Sequence, residues 1–187
     1  MLTKEQKKQF SDILEEIGKT LDITKEQYDA AVKSYKYVGE WLSKDDSPLA
    51  TYNPEILPQG SFLLQTMIRP INEEDELDID LVCKLEKIHA SWTQYELKKL
   101  VGDRLKANGI LNKLLVIPDG RRCWTLQYAD SAKFHLDVLP SVVATGYKAI
   151  LEKAFSATDL TDTNTLGIRI TDRNTPNYRT STNLREW

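Results

Sequence analysis

Apolar residues near the N-terminus recur at three- and four-residue intervals: Phe10, Ile13, Leu14, Ile17 and Leu21, then Tyr28, Ala31, Val32, Tyr35, Val38 and Leu42. That is the period of an amphipathic helix. Each stripe begins at a Thr followed three residues later by Gln, Thr3–Gln6 and Thr24–Gln27. This is the capping box, in which two side chains satisfy the free N–H groups of a helix start. Two packing helices are predicted, both with their stripes turned to a core. Pro48, Pro54 and Pro58 punctuate the loop that follows. A turn and short helix are expected over 60–69, after Gly60-Ser61.

The pattern then changes to alternation. After a charged loop from Asn72 to Glu76, Leu77 to Cys83 alternates aliphatic and acidic residues and ends β-rich, so it predicts a strand. Trp92 to Asn108 returns to the helical period, with Gly109 as its stop. Leu114–Ile117 and Cys123–Tyr128 predict two strands joined by a tight turn at Pro118-Asp119-Gly120. Phe134–Leu139 predicts another strand, Tyr147–Phe155 a short helix, and Ser156–Trp187 an irregular polar tail. Helices, then strands broken by one helix, imply an α+β domain: a mixed sheet with helices on one face.

Composition narrows the class. The 187 residues suit one domain, and 41% hydrophobic content supports a core. A net charge of -3 excludes a general polyanion binder, so no long nucleic-acid partner is expected. No apolar run is long enough for a membrane span, and the charged first residues do not form a signal peptide. A cytoplasmic location follows as the default. Cys83 and Cys123 lie in apolar runs and read as buried core thiols; with His89 and His135 they make no zinc pattern.

The informative residues are acidic. Glu73 to Asp80 holds six carboxylates in eight positions. On a strand, Asp78 and Asp80 share one face, roughly 6.5–7 Å apart, with Leu77, Ile79 and Leu81 on the other. Carboxylates brought to about 5 Å repel by about 3 kcal/mol at an effective dielectric near 20, so a cation would relieve them. Taken alone, Asp-Ile-Asp more often describes a solvated strand face. Asp137 changes the balance: it is a lone acid in an apolar run and needs a partner. If its strand neighbours the first, three hard oxygen ligands converge, a set suited to Mg²⁺. Two such ions can clamp the attacking and leaving oxygens of an in-line phosphoryl displacement. Gln59-Gly60-Ser61 stands 17 residues before Asp78. Its glycine allows close backbone approach to phosphate, and the helix start behind it favours an anion.

Together Gln59-Gly60-Ser61, Thr66, Pro70, Glu76 to Val82, and His135-Leu136-Asp137-Val138-Leu139-Pro140 resemble the signature of the polymerase-β-like nucleotidyltransferases. The closer similarity is to the bacterial cyclic-oligonucleotide synthases related to cyclic GMP-AMP synthase and oligoadenylate synthase; Ile168 to Asp172, with Tyr178, also looks like that group. The resemblance implies a template-independent enzyme of antiphage defence, joining nucleoside triphosphates into a cyclic di- or trinucleotide. It implies Asp78, Asp80 and Asp137 as catalytic residues holding two Mg²⁺ ions, with Mn²⁺ as a substitute, and Asp137 helping to activate the attacking hydroxyl. Gln59, Gly60 and Ser61 would contact the donor nucleotide, Ser61 near its phosphates. A regulatory protein partner is compatible with such an enzyme.

On this reading 1–50 are N-terminal packing helices, 51–155 the palm with the catalytic carboxylates, and 156–187 an irregular tail. Members of the family run to roughly twice this length, in keeping with a second domain-sized part. The C-terminal helical subdomain is therefore expected to be missing, and a chain without it can hold the catalytic carboxylates yet lack turnover. The alternatives are a nucleotidyltransferase that modifies RNA, protein or a small molecule, and an inactive nucleotide-binding fragment. Arg121 and Arg122 are expected in solvent, and His135 is expected in a structural hydrogen bond.

Overall fold

The structure, a computed structural model, describes residues 2–72, 75–86, 88–129, 133–144 and 167–186. Its first helix, α1 (Lys4–Leu21), and its second, α2 (Lys25–Ser43), both start at the expected capping boxes. They differ in packing. Ala31, Val38 and Leu42 of α2 are buried, whereas α1 buries nothing. Phe10, Ile13, Leu14 and Ile17 are about half exposed or more. The predicted core role of the first stripe is therefore incorrect: periodicity fixed the helix, but among the described residues nothing covers its apolar face.

Six strands form one sheet: β1 (Glu55–Pro58), β2 (Leu77–Leu85), β3 (Trp124–Tyr128), β4 (Phe134–Val143), β5 (Ile168–Ile170) and β6 (Arg185–Glu186). The order is β1-β2-β4-β5-β6, with β3 also paired to β4. The β2–β4 pair is parallel and the others antiparallel, so the sheet is mixed as expected. A parallel pair needs a long crossover, supplied by α4 (Gln94–Lys106), α5 (Leu111–Leu114) and β3. The helix α3 (Gly60–Leu64) links β1 to β2.

The core lies between one sheet face and the helices. Ile79 and Leu81 of β2, Leu126 of β3 and Leu136 and Val138 of β4 meet Leu97, Val101 and Leu105 of α4, all fully buried. Trp124 fills the space above Gly102, where an added Cβ would lie 2.1 Å from the indole ring. The opposite sheet face holds a smaller apolar cluster of Val82, Leu139, Ile168 and Ile170. Among the described residues no helix is long and apolar enough to cross a membrane.

Three local expectations change. Leu111–Leu114 is a helical turn, not the lead-in to a strand, because the Asn108 side chain accepts hydrogen bonds from the Ile110 and Leu111 N–H groups. Only Leu115 remains to bridge Leu126, so the expected hairpin is a single bridge. The strand around Asp137 continues through Pro140, which falls in the gap between the β3 ladder, ending at Val138, and the β5 ladder, starting at Ser141. A proline is tolerated where no ladder bond is needed. The tail is not wholly irregular, since 168–170 and 185–186 extend the sheet. The helix expected over Tyr147–Phe155 lies outside the described residues.

Gly102→Ala is expected to lower stability by about 1–3 kcal/mol, the usual cost of overpacking. Urea denaturation of the two proteins checks this.

Candidate active site

Alternation along β2 buries Leu77, Ile79 and Leu81 and turns Asp78 and Asp80 to the open face. The parallel register sets Asp80 beside Asp137 and Asp78 beside His135. One carboxylate oxygen from each of Asp78, Asp80 and Asp137 lies within 4.8 Å of the others. The three acids singled out in the sequence thus come together.

Their electrostatics reflect crowding. Burial, together with the charge of Asp137, pushes Asp78 above the usual carboxylate range, against the opposing effect of His135. Burial, then Asp78 and Asp137, pushes Asp80 upward. His135 bridges the cluster to a second layer: Nε2 lies 3.3 Å from Asp78 Oδ1, and Nδ1 lies 3.2 Å from Glu76 Oε2. Gln127 Nε2 donates to Glu76 at 3.0 Å and is the main cause holding that acid below its ordinary range. The structural role expected for His135 fits these contacts.

Asp137 is held from β3, a strand whose contribution the sequence did not reveal. Thr125 pairs with Asp137 in the ladder and donates its hydroxyl to Oδ1 at 2.5 Å. The Cys123 thiol donates to Oδ2 at 3.0 Å. Burial, reinforced by the Asp137 charge, pushes this thiol up to about 12, so it stays a donor at neutral pH. Cys123 is therefore not the inert core thiol expected, whereas Cys83 is: it is fully buried, which raises its thiol to about 12. The alternation of Cys123 and Thr125 against Trp124 and Leu126 was the available signal, but it names a face only once the neighbouring strand is known.

The Gln59-Gly60-Ser61 turn borders the acids. The Gln59 N–H donates to the Asp80 carbonyl at 2.8 Å, fastening the turn to β2. Gly60 has φ +60°, and a Cβ there would lie 2.9 Å from Asp80 Oδ2. Glycine is thus required twice, for the left-handed backbone and for the close approach. Gln59 and Gly60 line a cavity of about 330 Å³ with Asp80, Asp137, Arg122 and Cys123. Ser61 is exposed and lines a neighbouring depression with Thr66 and Asp78.

Arg121 is exposed as expected and Arg122 is half-buried, but both are ion-paired. Arg121 makes two 2.6 Å bonds to the carboxylate of Asp172, which is wholly buried. Arg185 bonds the same carboxylate at 2.7 Å, and Arg122 Nε lies 3.5 Å away. These partners, Arg121 foremost, hold Asp172 well below the usual carboxylate range. Arg122 is thereby placed on the wall of the carboxylate cavity.

Three hard oxygen donors, two of them resisting ionisation, fit a divalent cation of the Mg²⁺ or Mn²⁺ kind. A mixed sheet covered by helices on one face, with Asp-x-Asp and a distant Asp meeting across parallel strands on the other, defines a polymerase-β-like nucleotidyltransferase core. Residues 54–140 match the family described as cyclic GMP-AMP synthase DncV-like, nucleotidyltransferase domain. This stretch is similar to the nucleotidyltransferase domains of that family.

A c-di-GMP synthase of Roseivirga ehrenbergii is 26% identical over 147 residues, covering 79% of this chain and 38% of the relative. The CD-NTase CdnG of Bradyrhizobium diazoefficiens, solved with GTP, superposes with a TM-score of 0.54 at 25% identity, covering 67% of this chain and 34% of that one. The dinucleotide cyclase DncV of Vibrio cholerae shares the fold at a TM-score of 0.54 and 15% identity, covering 89% and 57%. The chain thus spans well under two thirds of the length of these proteins.

Two outcomes follow from the geometry. Because the folded-state pKa of Asp80 is raised, its ionisation opposes folding: the metal-free protein gains stability as pH falls into the carboxylate range and loses it as pH rises through the raised pKa. At pH 7 in EDTA, Asp80→Asn should therefore be more stable than the wild type. Discounted for solvent screening, the gain is about 0.5–1 kcal/mol, and it should shrink as pH is lowered towards 4. Mg²⁺ should raise the melting temperature of the wild type more than that of the variant. Thermal melts across this range check both. Gly60→Ala should cost about 1–2 kcal/mol from the left-handed backbone alone and should weaken Mg²⁺ stabilisation by displacing the Asp80 carboxylate.

Proposed function

We propose that the protein of which this domain is part transfers nucleotidyl groups between nucleoside triphosphates, without a template, to make a cyclic di- or trinucleotide messenger that serves antiphage defence. The observation that carries this reading is the convergence of Asp78, Asp80 and Asp137 across the β2–β4 pair, beside a turn that only glycine can make. The likeness to the c-di-GMP synthase and to CdnG supports it and makes GTP the first substrate to test.

Asp78, Asp80 and Asp137 would hold two Mg²⁺ ions, with Mn²⁺ able to replace them. When bound, such ions neutralise charge on the reacting phosphate and favour ionisation of the attacking hydroxyl. The chain's own groups do the rest. Gly60 lets the backbone come close to the donor's phosphates, and Ser61 offers them a hydroxyl and an N–H. Gln59 orients the same nucleotide. Asp137 accepts the proton of the attacking ribose hydroxyl. Its Oδ2, whose partner is the weak S–H donor of Cys123, is less committed than Oδ1, which takes the Thr125 hydroxyl. Thr125 and Cys123 act as positioning residues that keep this carboxylate turned to the cleft.

Incubation with labelled GTP, alone and mixed with ATP, CTP and UTP, in Mg²⁺ or Mn²⁺ tests the proposal. Thin-layer chromatography separates the products, and phosphatase resistance identifies a closed ring. Asp137→Ala is expected to lower product formation by at least about 10²–10³-fold, the scale for removing one electrostatic group at a reacting centre. Full activity in that variant would refute its role. Labelled nucleotide appearing on RNA or protein instead would point to a different acceptor.

A further inference from the structure

A second polar cavity lies on the other side of β3. Cys123 and Thr125 face Asp137, so Trp124 between them faces α4, where its indole N–H donates to the Lys98 carbonyl at 2.9 Å. The cavity between this indole, α4 and the segment after β5 measures about 440 Å³, within the range of small-ligand sites. Its lining holds five cations, Lys98, Lys99, Lys106, Arg173 and Arg179, and two carboxylates, Asp103 and Asp119. That excess is notable in a chain of net charge -3.

The carboxylates do not neutralise all five cations. Asp103 is taken by Lys99. Asp119 is shared by Lys98, whose ammonium lies 2.7 Å away and whose side chain is 1% exposed, and by Arg173. Lys106 and Arg179 instead rest on aromatic faces, 4.5 Å from the Trp124 ring centre and 4.8 Å from that of Tyr95. Among the described residues neither meets a carboxylate. Tyr95 and Tyr178 stand edge to face at 6.1 Å and complete an aromatic wall.

We propose that this cavity binds a free nucleotide, its phosphates on Lys106 and Arg179 and its base against the aromatic wall. Cations with no acid of their own favour phosphate, and tyrosine and tryptophan rings offer stacking surface for a heterocycle. The cations are gathered in one hollow rather than along a stripe, which favours a single nucleotide over a nucleic-acid strand. The site is separate from the carboxylate cluster, so this inference does not rest on the proposed catalytic function.

Calorimetric titration of the chain with ATP in low-salt buffer with EDTA and no divalent cation tests it. A single saturable site is expected. Asp80→Asn should bind as the wild type does. The double variant Lys106→Ala, Arg179→Ala should bind at least about tenfold more weakly. Both residues are solvent-exposed, so its melting temperature should stay near the wild-type value. Inorganic triphosphate should also bind at least about tenfold more weakly than ATP, since it lacks the ring. The proposal is overturned if the wild type takes up no ATP at about 1 mM, weaker than ordinary metabolite sites. It is overturned equally if the double variant binds unchanged, if triphosphate matches ATP, or if a short oligothymidylate displaces ATP at lower concentration.

Discussion

The organising constraint is the parallel register between β2 and β4. Nine residues of one strand pair with nine of the other, which sets Asp80 beside Asp137. The register is held from the opposite face, where Ile79, Leu81, Leu136 and Val138 are fully buried. A slip by one residue would turn these to solvent and the acids to the core. Each such side chain contributes about 2 kcal/mol on burial, so four outweigh the repulsion of about 3 kcal/mol between two carboxylates some 5 Å apart. The core thus forces the acids together and leaves their repulsion to be relieved from the open face.

The rest of the site is built on that pair. β3 adds to the free edge of β4 and delivers Thr125 and Cys123 to the two oxygens of Asp137. The β1–α3 turn is fastened to the backbone of Asp80 and brings Gly60 against its carboxylate. His135 and Glu76 extend the cluster outward through side-chain contacts. The segment 119–123 touches both cavities: Asp119 meets Lys98 and Arg173 at one end, and Cys123 meets Asp137 at the other. Between them, Arg121 and Arg122 are tied to the buried Asp172.

Much of this was legible before the fold was known. The helix starts at Thr3, Thr24 and Thr93 are genuine capping boxes, two of them expected, because capping depends on residues only three positions apart. Asp78 and Asp80 were placed on one face by alternation alone. The convergence with Asp137 was inferred from its isolation in an apolar run, and the parallel pairing supplies the physical link. The first helical stripe misled because periodicity reports which face is apolar and not what lies against it. The hairpin before β3 misled because a side-chain cap from Asn108 turned the strand's lead-in into a helical turn.

The sequence by itself determined the principal helices and strands, the face each acid occupies, and the glycine that stands beside the site. These follow from interactions within a few residues of one another. Tertiary structure alone decided which strand flanks Asp137, that a thiol and a hydroxyl grip it, and that Asp172 gathers arginines from residues 121, 122 and 185. It also decided that cations from α4 and from the segment after β5 meet in one hollow. Those contacts join residues far apart along the chain, and their partners are set by packing of the whole sheet, which no local pattern encodes.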